Sequence, residues 1–270
     1  MTVPHCRPRS LGSLLTLSLT LAVLAATLSA QTQTPTKPYQ PAVGQPGKDV
    51  VWVPTPQVLV DKMLDMAKLT PKDFVMDLGS GDGRTVITAA KRGAQAIGVE
   101  YNPDMVAVSK AAADRAGVAS KATFMQADLF KTDLTKATVI TMFLLPSINL
   151  QLRPTLLSLK PGTRIVSNTF DMEEWQPDDK ATVAPASCTS WCTALLWIVP
   201  AKVQGKWKTP AGDLTLTQTF QMLSGTLGSV PIAGAMTGDR IRFTAGGTEY
   251  TGRVNGNTIQ GGNLSATRIN

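Results

Sequence analysis

Hydrophobic positions follow two different spacings along the chain. From residue 51 to about residue 179, short apolar runs alternate with segments in which apolar residues recur every three or four positions. This pattern predicts strands that alternate with helices, an order typical of an α/β fold with a parallel sheet and helices on both faces. The first helix is predicted after Thr55-Pro56, with Thr55 as its N-cap, because Val60 and Met63 then share one face.

The apolar runs predict seven strands between residues 74 and 199. Five alternate with helices, and the last two are predicted as a closing pair. Their expected ranges are Phe74 to Leu78, Ala96 to Glu100, Ala122 to Gln126, Val139 to Leu145, Arg164 to Ser167, Thr182 to Pro185 and Ala194 to Val199.

Helical spacing disappears in residues 201–270. Short β-type runs such as Leu214 to Phe220 and Tyr250 to Val254 are separated by turns that contain glycine. We therefore predict a C-terminal antiparallel β-meander or small barrel of six or seven strands. Seven Lys/Arg against three Asp/Glu in this region leave it basic, but the charges are scattered. They favour a solvated surface, with membrane or envelope association as the alternative.

The N-terminal segment predicts export. In residues 1–30, Arg7 and Arg9 precede an uncharged run rich in Leu, Ala, Ser and Thr, which is the layout of a signal peptide. Roughly 20 apolar residues also suffice for an uncleaved signal anchor. Both alternatives predict an exported protein, periplasmic or membrane-tethered. Residues 31–50 are rich in Gln, Thr, Pro and Gly and are predicted to be a linker.

Composition excludes several kinds of catalytic site. The sequence has one histidine, His5, which precedes the apolar run. The chain that follows therefore offers no Ser-His-Asp or Cys-His nucleophile and no imidazole metal ligand. Its cysteines, Cys188 and Cys192, form a disulfide only if a turn lies between them, since an extended strand would hold them about 13 Å apart. The alternative is a pair of free thiols.

A glycine-rich turn follows the first predicted strand. The sequence Asp77-Leu78-Gly79-Ser80-Gly81-Asp82-Gly83-Arg84 lets the backbone pass close to a ligand at a helix start. Its G-x-G-x-G spacing differs from the dinucleotide fingerprint, so no second phosphate site is expected. Glu100 and Asp128 end the next two strands, where they are predicted to accept from ribose hydroxyls and an adenine amine. The motifs predict a nucleoside site.

These motifs resemble those of the class I, seven-strand S-adenosylmethionine-dependent methyltransferases. The resemblance rests on D-L-G-S-G-D-G-R, G-V-E-Y-N-P, A-D-L-F and Lys160-Pro161-Gly162, and covers about residues 51–200. It implies a Rossmann-like seven-strand methyltransferase sheet, S-adenosyl-L-methionine as cofactor, and no metal. The implied cofactor-binding residues are Thr55, Asp77, Gly79, Ser80, Gly81, Asp82, Gly83, Glu100, Asp128 and Leu129.

Within that superfamily the chain is most similar to the lysine methyltransferases of the adenine nucleotide translocase and the ATP synthase c-subunit. The likeness rests on Val53-Pro54-Thr55-Pro56, Leu145-Pro146 and Trp175-Gln176-Pro177. It implies N-methylation of a protein lysine. Strand four does not end in the Asn/Asp-Pro-Pro-aromatic motif of adenine and glutamine methyltransferases, so no nucleic acid is expected as partner.

The loop that follows strand five contains two candidate catalytic residues. Asp171 and Trp175 are placed where they would guide a cationic acceptor and then exclude water from it. The alternative is a solvated loop with one anchoring tryptophan. Thr55 is either a helix cap or a residue of a lid over the cofactor.

Export conflicts with a cofactor made in the cytoplasm. Two other functions therefore stay open: a non-catalytic nucleoside-binding or scaffold protein of the cell envelope, and a small-molecule methyltransferase.

Overall fold

The computed structural model describes residues 39–184 and 186–269. The leader predicted for residues 1–30 lies outside these ranges. Within them, no helix has both the length and the apolar character needed to cross a membrane.

The first part of the chain forms a seven-stranded sheet in the order β3-β2-β1-β4-β5-β7-β6. Strands β1 to β5 are parallel, while β7 runs antiparallel to both of its neighbours. The bounds are β1 Phe74–Leu78, β2 Gln95–Glu100, β3 Ala122–Gln126, β4 Val139–Met142, β5 Arg164–Asn168, β6 Asp179–Thr182 and β7 Thr193–Ile198. The predicted α/β fold is confirmed.

Two strand predictions need correction. Strand β4 ends at Met142, three residues before the predicted end, because Leu145 and Pro146 already begin the following helix. Strand β6 precedes its predicted range and begins at Asp179. Its pairing partner β7 sets this register, which local apolar spacing does not encode.

Four α-helices occur among the described residues: α1 Gln57–Met66, α2 Arg84–Lys91, α3 Pro103–Arg115 and α4 Pro146–Leu156. Helix α3 begins at Pro103, and the Asn102 side chain caps it by accepting from the Asp104 amide at 2.9 Å. The predicted cap at Thr55 is wrong, because α1 begins at Gln57 and its N-cap residue is Pro56.

Alternating residues of the strands pack against helices on opposite faces of the sheet. Helices α1, α2 and α3 cover one face, where Val75 and Val139 are fully buried. Helix α4 covers the other face, which buries Met76 and Ile140. Both faces are therefore apolar, and polar side chains concentrate where the strands end.

Residues 205–269 form a closed barrel of eight antiparallel strands. The bounds are β8 Gly205–Thr209, β9 Gly212–Thr219, β10 Met222–Leu227, β11 Val230–Thr237, β12 Arg240–Ala245, β13 Thr248–Asn255, β14 Thr258–Gln260 and β15 Ala266–Ile269. Strand β15 pairs with β8 and closes the barrel, so of the two predicted forms the small barrel is correct, with eight strands instead of six or seven. A buried cluster that includes Trp207 and Phe243 fills its interior.

The β9–β10 turn of the barrel packs against the sheet's second face. Phe220 in this turn stacks on Trp175, with ring centroids 6.1 Å apart, and Gln221 donates to the Gln176 carbonyl at 2.7 Å. The Trp197 indole donates to the carbonyl of Trp175 at 2.6 Å. Trp175 is thus fully buried at this contact. Its proposed catalytic position is wrong, and the alternative of an anchoring tryptophan describes it.

Candidate cofactor site

The glycine-rich turn that follows β1 has three positions at which the backbone conformation favours glycine. Gly79, Gly81 and Gly83 have φ angles of 75°, 55° and 79°, in the left-handed region. At Gly81 a Cβ atom would also lie 2.5 Å from Nε1 of Trp52. The backbone of the turn therefore approaches its neighbours more closely than a larger residue allows.

Glu100 holds this turn from the end of β2. Its Oε2 accepts from the Gly81 amide at 2.9 Å, and its Oε1 accepts from the Asn102 amide at 3.0 Å. The half-buried carboxylate also lines a cavity. It thus shapes the site and presents negative charge to it.

Asp77 lies buried at the start of the turn. Burial raises the pKa of its carboxyl to about 7, and the charges of Asp82 and Glu100 add to the effect, against a hydrogen bond from Thr141 at 2.6 Å. The carboxyl therefore changes charge near neutral pH.

Asp128 lies two residues beyond the end of β3, not on the strand as predicted, and protein donors engage its carboxylate. Its Oδ1 accepts from the Phe130 amide at 3.0 Å, and its Oδ2 pairs with Nζ of Lys48 at 3.0 Å. The hydrogen bond from Lys48 lowers the pKa of Asp128. The Lys48 ammonium also lies 4.8 Å from the ring centroid of Tyr101. An adenine amine would therefore share Asp128 with this lysine.

Lys48 belongs to a segment that sequence patterns missed. Residues 45–53, the strap, fold back on themselves through a bridge between Pro46 and Val51 and a bond from the Trp52 amide to the Gln45 carbonyl at 2.9 Å. The strap lines the cavity beside Glu100. The predicted linker is therefore wrong for residues 39–50, whose low apolar content hid their contacts with distant elements.

Two adjoining cavities surround the turn and share Trp52, Val53 and Gly79. The strap-side cavity is also lined by Glu100, Tyr101, Asn102, Met105, Asp128, Leu129 and Ile148. The turn-side cavity is also lined by Thr55, Met63, Asp77, Ser80, Gly81, Asp82, Arg84, Met142 and Phe143. The two cavities, together called the hollow, are lined by all of the predicted binding residues except Gly83, which is the N-cap residue of α2.

Other predicted site residues have partners of their own. The Asp82 carboxylate pairs with the Arg84 guanidinium at 2.6 Å. Thr55 faces the turn-side cavity, and its hydroxyl oxygen accepts from the buried Asn168 amide at 3.3 Å. Asp171 lines neither cavity. Its carboxylate is exposed and accepts from the Glu173 amide. No geometry here brings Asp171 to the reacting atoms.

Residues 77–179 match the ANTKMT methyltransferase domain. The chain is 44% identical over 133 residues to a protein-lysine N-methyltransferase of Saccharolobus islandicus, an alignment that covers 48% of this chain and 83% of that protein. It is 41% identical over 105 residues to the mouse lysine N-methyltransferase of the ATP synthase c-subunit, an alignment that covers 38% of this chain and 42% of that protein.

A solved structure agrees. The RNA methyltransferase from Salinibacter ruber, in complex with S-adenosyl-L-homocysteine, is 44% identical with a TM-score of 0.52, and the alignment covers 56% of this chain and 96% of that one. The chain belongs to this family of S-adenosylmethionine-dependent methyltransferases. The predicted resemblance, enzyme class and cofactor are thereby confirmed, and the methyltransferase is no longer expected to be a non-catalytic scaffold.

The hollow of the methyltransferase fits this cofactor. Gly79 and Gly81 line the turn-side cavity without a side chain that would occupy it, while Glu100 presents a hydroxyl-accepting carboxylate on the strap side. Glu100 would hold the ribose, and Asp77 with residues 79–82 would hold the methionine end, where an ionised Asp77 complements the ammonium group.

We expect Glu100→Ala to weaken binding of S-adenosylhomocysteine about 10- to 100-fold, because bonds to a charged acceptor are each worth about 1.5–3 kcal/mol. Loss of the acceptor for Gly81 and Asn102 should also lower the free energy of unfolding by about 1–3 kcal/mol. Calorimetric titration and urea unfolding measure the two effects. Asp104→Ala, an exposed carboxylate on α3, is the control; unchanged affinity in Glu100→Ala would show that Glu100 does not bind the cofactor.

We also expect the affinity for S-adenosylhomocysteine to rise about tenfold from pH 6 to pH 8, as Asp77 loses its proton. The free energy of unfolding of the unliganded protein should instead fall as the pH rises. The folded pKa of Asp77 lies above its unfolded value, so Asp77 lowers the free energy of unfolding as pH rises from about 4 to about 7.

The Asp77→Asn variant should bind more weakly and lose this pH dependence, whereas Asp104→Asn should retain it. Titrations at several pH values make the comparison. An equal pH dependence in Asp77→Asn and the unaltered protein would assign the proton to another group.

Proposed function

We propose that this methyltransferase N-methylates a lysine side chain of a protein and that it acts outside the cytoplasm. The main support for a lysine acceptor is the 44% identity to the protein-lysine N-methyltransferase of S. islandicus, in an alignment that covers 83% of that protein. The mouse relative, named for lysine methylation of the ATP synthase c-subunit, supports the same acceptor class.

The reaction needs alignment and a dry cavity rather than an acid–base pair. S-adenosylmethionine supplies a methyl group already activated by its sulfonium. The neutral lysine amine attacks it, so that a C–N bond forms, the C–S bond breaks with its electron pair on sulfur, and the amine proton passes to solvent. Such an attack gains most from close, oriented approach. A chain with no histidine after His5 is suited to it.

One wall of the turn-side cavity is apolar. Val53, Met63, Met142 and Phe143 contribute apolar surface there. Desolvation by such surface lowers the pKa of an amine, because the charged form loses its hydration. The same surface excludes water from the methyl group.

Export is supported by two features. Residues 1–30 have the layout of a signal peptide or anchor. Cys188 and Cys192 form a disulfide across a turn, with their Cα atoms 5.7 Å apart. Disulfides persist mainly in oxidising compartments. The cofactor would then have to reach the enzyme from the cytoplasm.

The test uses the full chain with methyl-tritiated S-adenosylmethionine and four fractions of its source cells: envelope protein, cytoplasmic protein, RNA and lipid. We expect label in envelope protein, recovered as methyl-lysine after acid hydrolysis, and much less label with Glu100→Ala at the same concentration of S-adenosylmethionine. Label only in RNA would support the acceptor named for the S. ruber relative, and label only in lipid a small-molecule acceptor. Methyl-lysine confined to cytoplasmic protein would contradict the export half of the proposal.

A further inference from the structure

Three aromatic rings lie together at the outer edge of the turn-side cavity. Phe143 lines the cavity itself. Its ring centroid lies 6.0 Å from that of Phe170, nearly parallel at 19°, and 5.9 Å from that of Trp191, tilted by 59°. These three residues are called the aromatic rim. They extend the apolar wall of the cavity outward to the protein surface.

Trp191 differs from the other two rim residues in its exposure. It is 44% exposed, although a tryptophan of the core would be covered. Its φ of 53° places a bulky residue in the left-handed region, which surrounding structure must enforce. The Cys188–Cys192 disulfide closes the loop that carries it, directly beside its own backbone. The fold therefore tolerates local strain to hold an indole partly in solvent beside the cavity.

The surroundings of the rim complement a cation. Residues 170–179, which begin with rim residue Phe170, contain no lysine or arginine. Asp171 and Glu173 in this stretch are exposed, whereas Glu174 is paired with Arg153. Aromatic faces attract ammonium groups and also pack against methylene chains. A lysine side chain combines these two features: four methylenes and a terminal amine.

We propose that the aromatic rim holds the acceptor lysine, with Trp191 and Phe143 against its methylenes, and that the disulfide positions Trp191 for this contact. The inference rests on the proposed lysine methylation and names its acceptor site. Asp171 and Glu173 attract the incoming ammonium, which passes its proton to solvent before the neutral amine attacks. Trp191 is a specificity-determining residue, and the disulfide acts through it.

The test measures methyl transfer to peptides. The unaltered chain is first assayed on an array of synthetic peptides, each with one central lysine, and steady-state constants are determined with the best of them. We expect Trp191→Leu to raise the KM for the peptide about 2- to 5-fold, the range for loss of a partly exposed cation–π contact with the arriving ammonium, with kcat nearly unchanged. Trp191→Phe should recover most of the KM. Affinity for S-adenosylhomocysteine should stay unchanged in both.

The Cys188→Ser/Cys192→Ser double variant tests the positioning role, since it should reproduce the KM effect with Trp191 present. Met222→Leu, an exposed apolar residue on the barrel, is the control and should change nothing. An unchanged KM in Trp191→Leu would overturn the acceptor site while leaving lysine methylation intact. A KM that Trp191→Phe does not recover, or a parallel loss of S-adenosylhomocysteine affinity, would show a merely structural role.

If the unaltered chain methylates no lysine peptide while it binds S-adenosylhomocysteine, both the proposed acceptor and the rim assignment fall. If the double variant keeps the KM of the unaltered chain, the disulfide has no part in positioning Trp191.

Discussion

The carboxylate of Glu100 joins two parallel strands at the place where the chain must hold an unfavourable backbone. Strands β1 and β2 are in register with Leu78 opposite Val99, so Glu100 emerges beside the glycine turn. It accepts from the amides of Gly81 and Asn102, while the Val99 carbonyl accepts from Gly79 and Ser80. These bonds fix the turn, and the turn fixes the start of α2. Both cavities depend on that geometry.

Segments far from the turn in sequence contact the site or support the sheet that carries it. The strap covers one side, and the Lys48–Asp128 pair fastens it to the end of β3. The barrel contacts the face of the sheet that α4 covers, where its Phe220 buries Trp175. The barrel is thus part of the support for the methyltransferase sheet. Its own acidic residues, Asp213, Asp239 and Glu249, pair with neighbouring basic side chains, as expected of a solvated surface.

Local patterns predicted most of the sheet and the order of its motifs. Strand β1 and the Asn102 cap were predictable because apolar spacing and capping act over a few residues. The strap, the burial of Trp175 and the closure of the barrel were not, since each depends on contacts between residues far apart in the chain. Thr55 shows the limit clearly: Thr-Pro is a typical helix start, yet Asn168, 113 residues away, engages its hydroxyl.

The disulfide shows a similar limit. The cysteines are four positions apart in sequence, and only the turn between them decides whether they meet. That turn also brings Trp191 close to Phe143, a contact that the sequence around either residue does not predict.

The central claim is that the hollow around the Glu100-held turn binds S-adenosylmethionine. Calorimetric titration of the full chain with S-adenosylhomocysteine tests it most directly. The account predicts saturable binding of one molecule per chain, weakened about 10- to 100-fold when Glu100 is replaced by alanine. A folded chain that takes up no S-adenosylhomocysteine between pH 6 and pH 8 would contradict it.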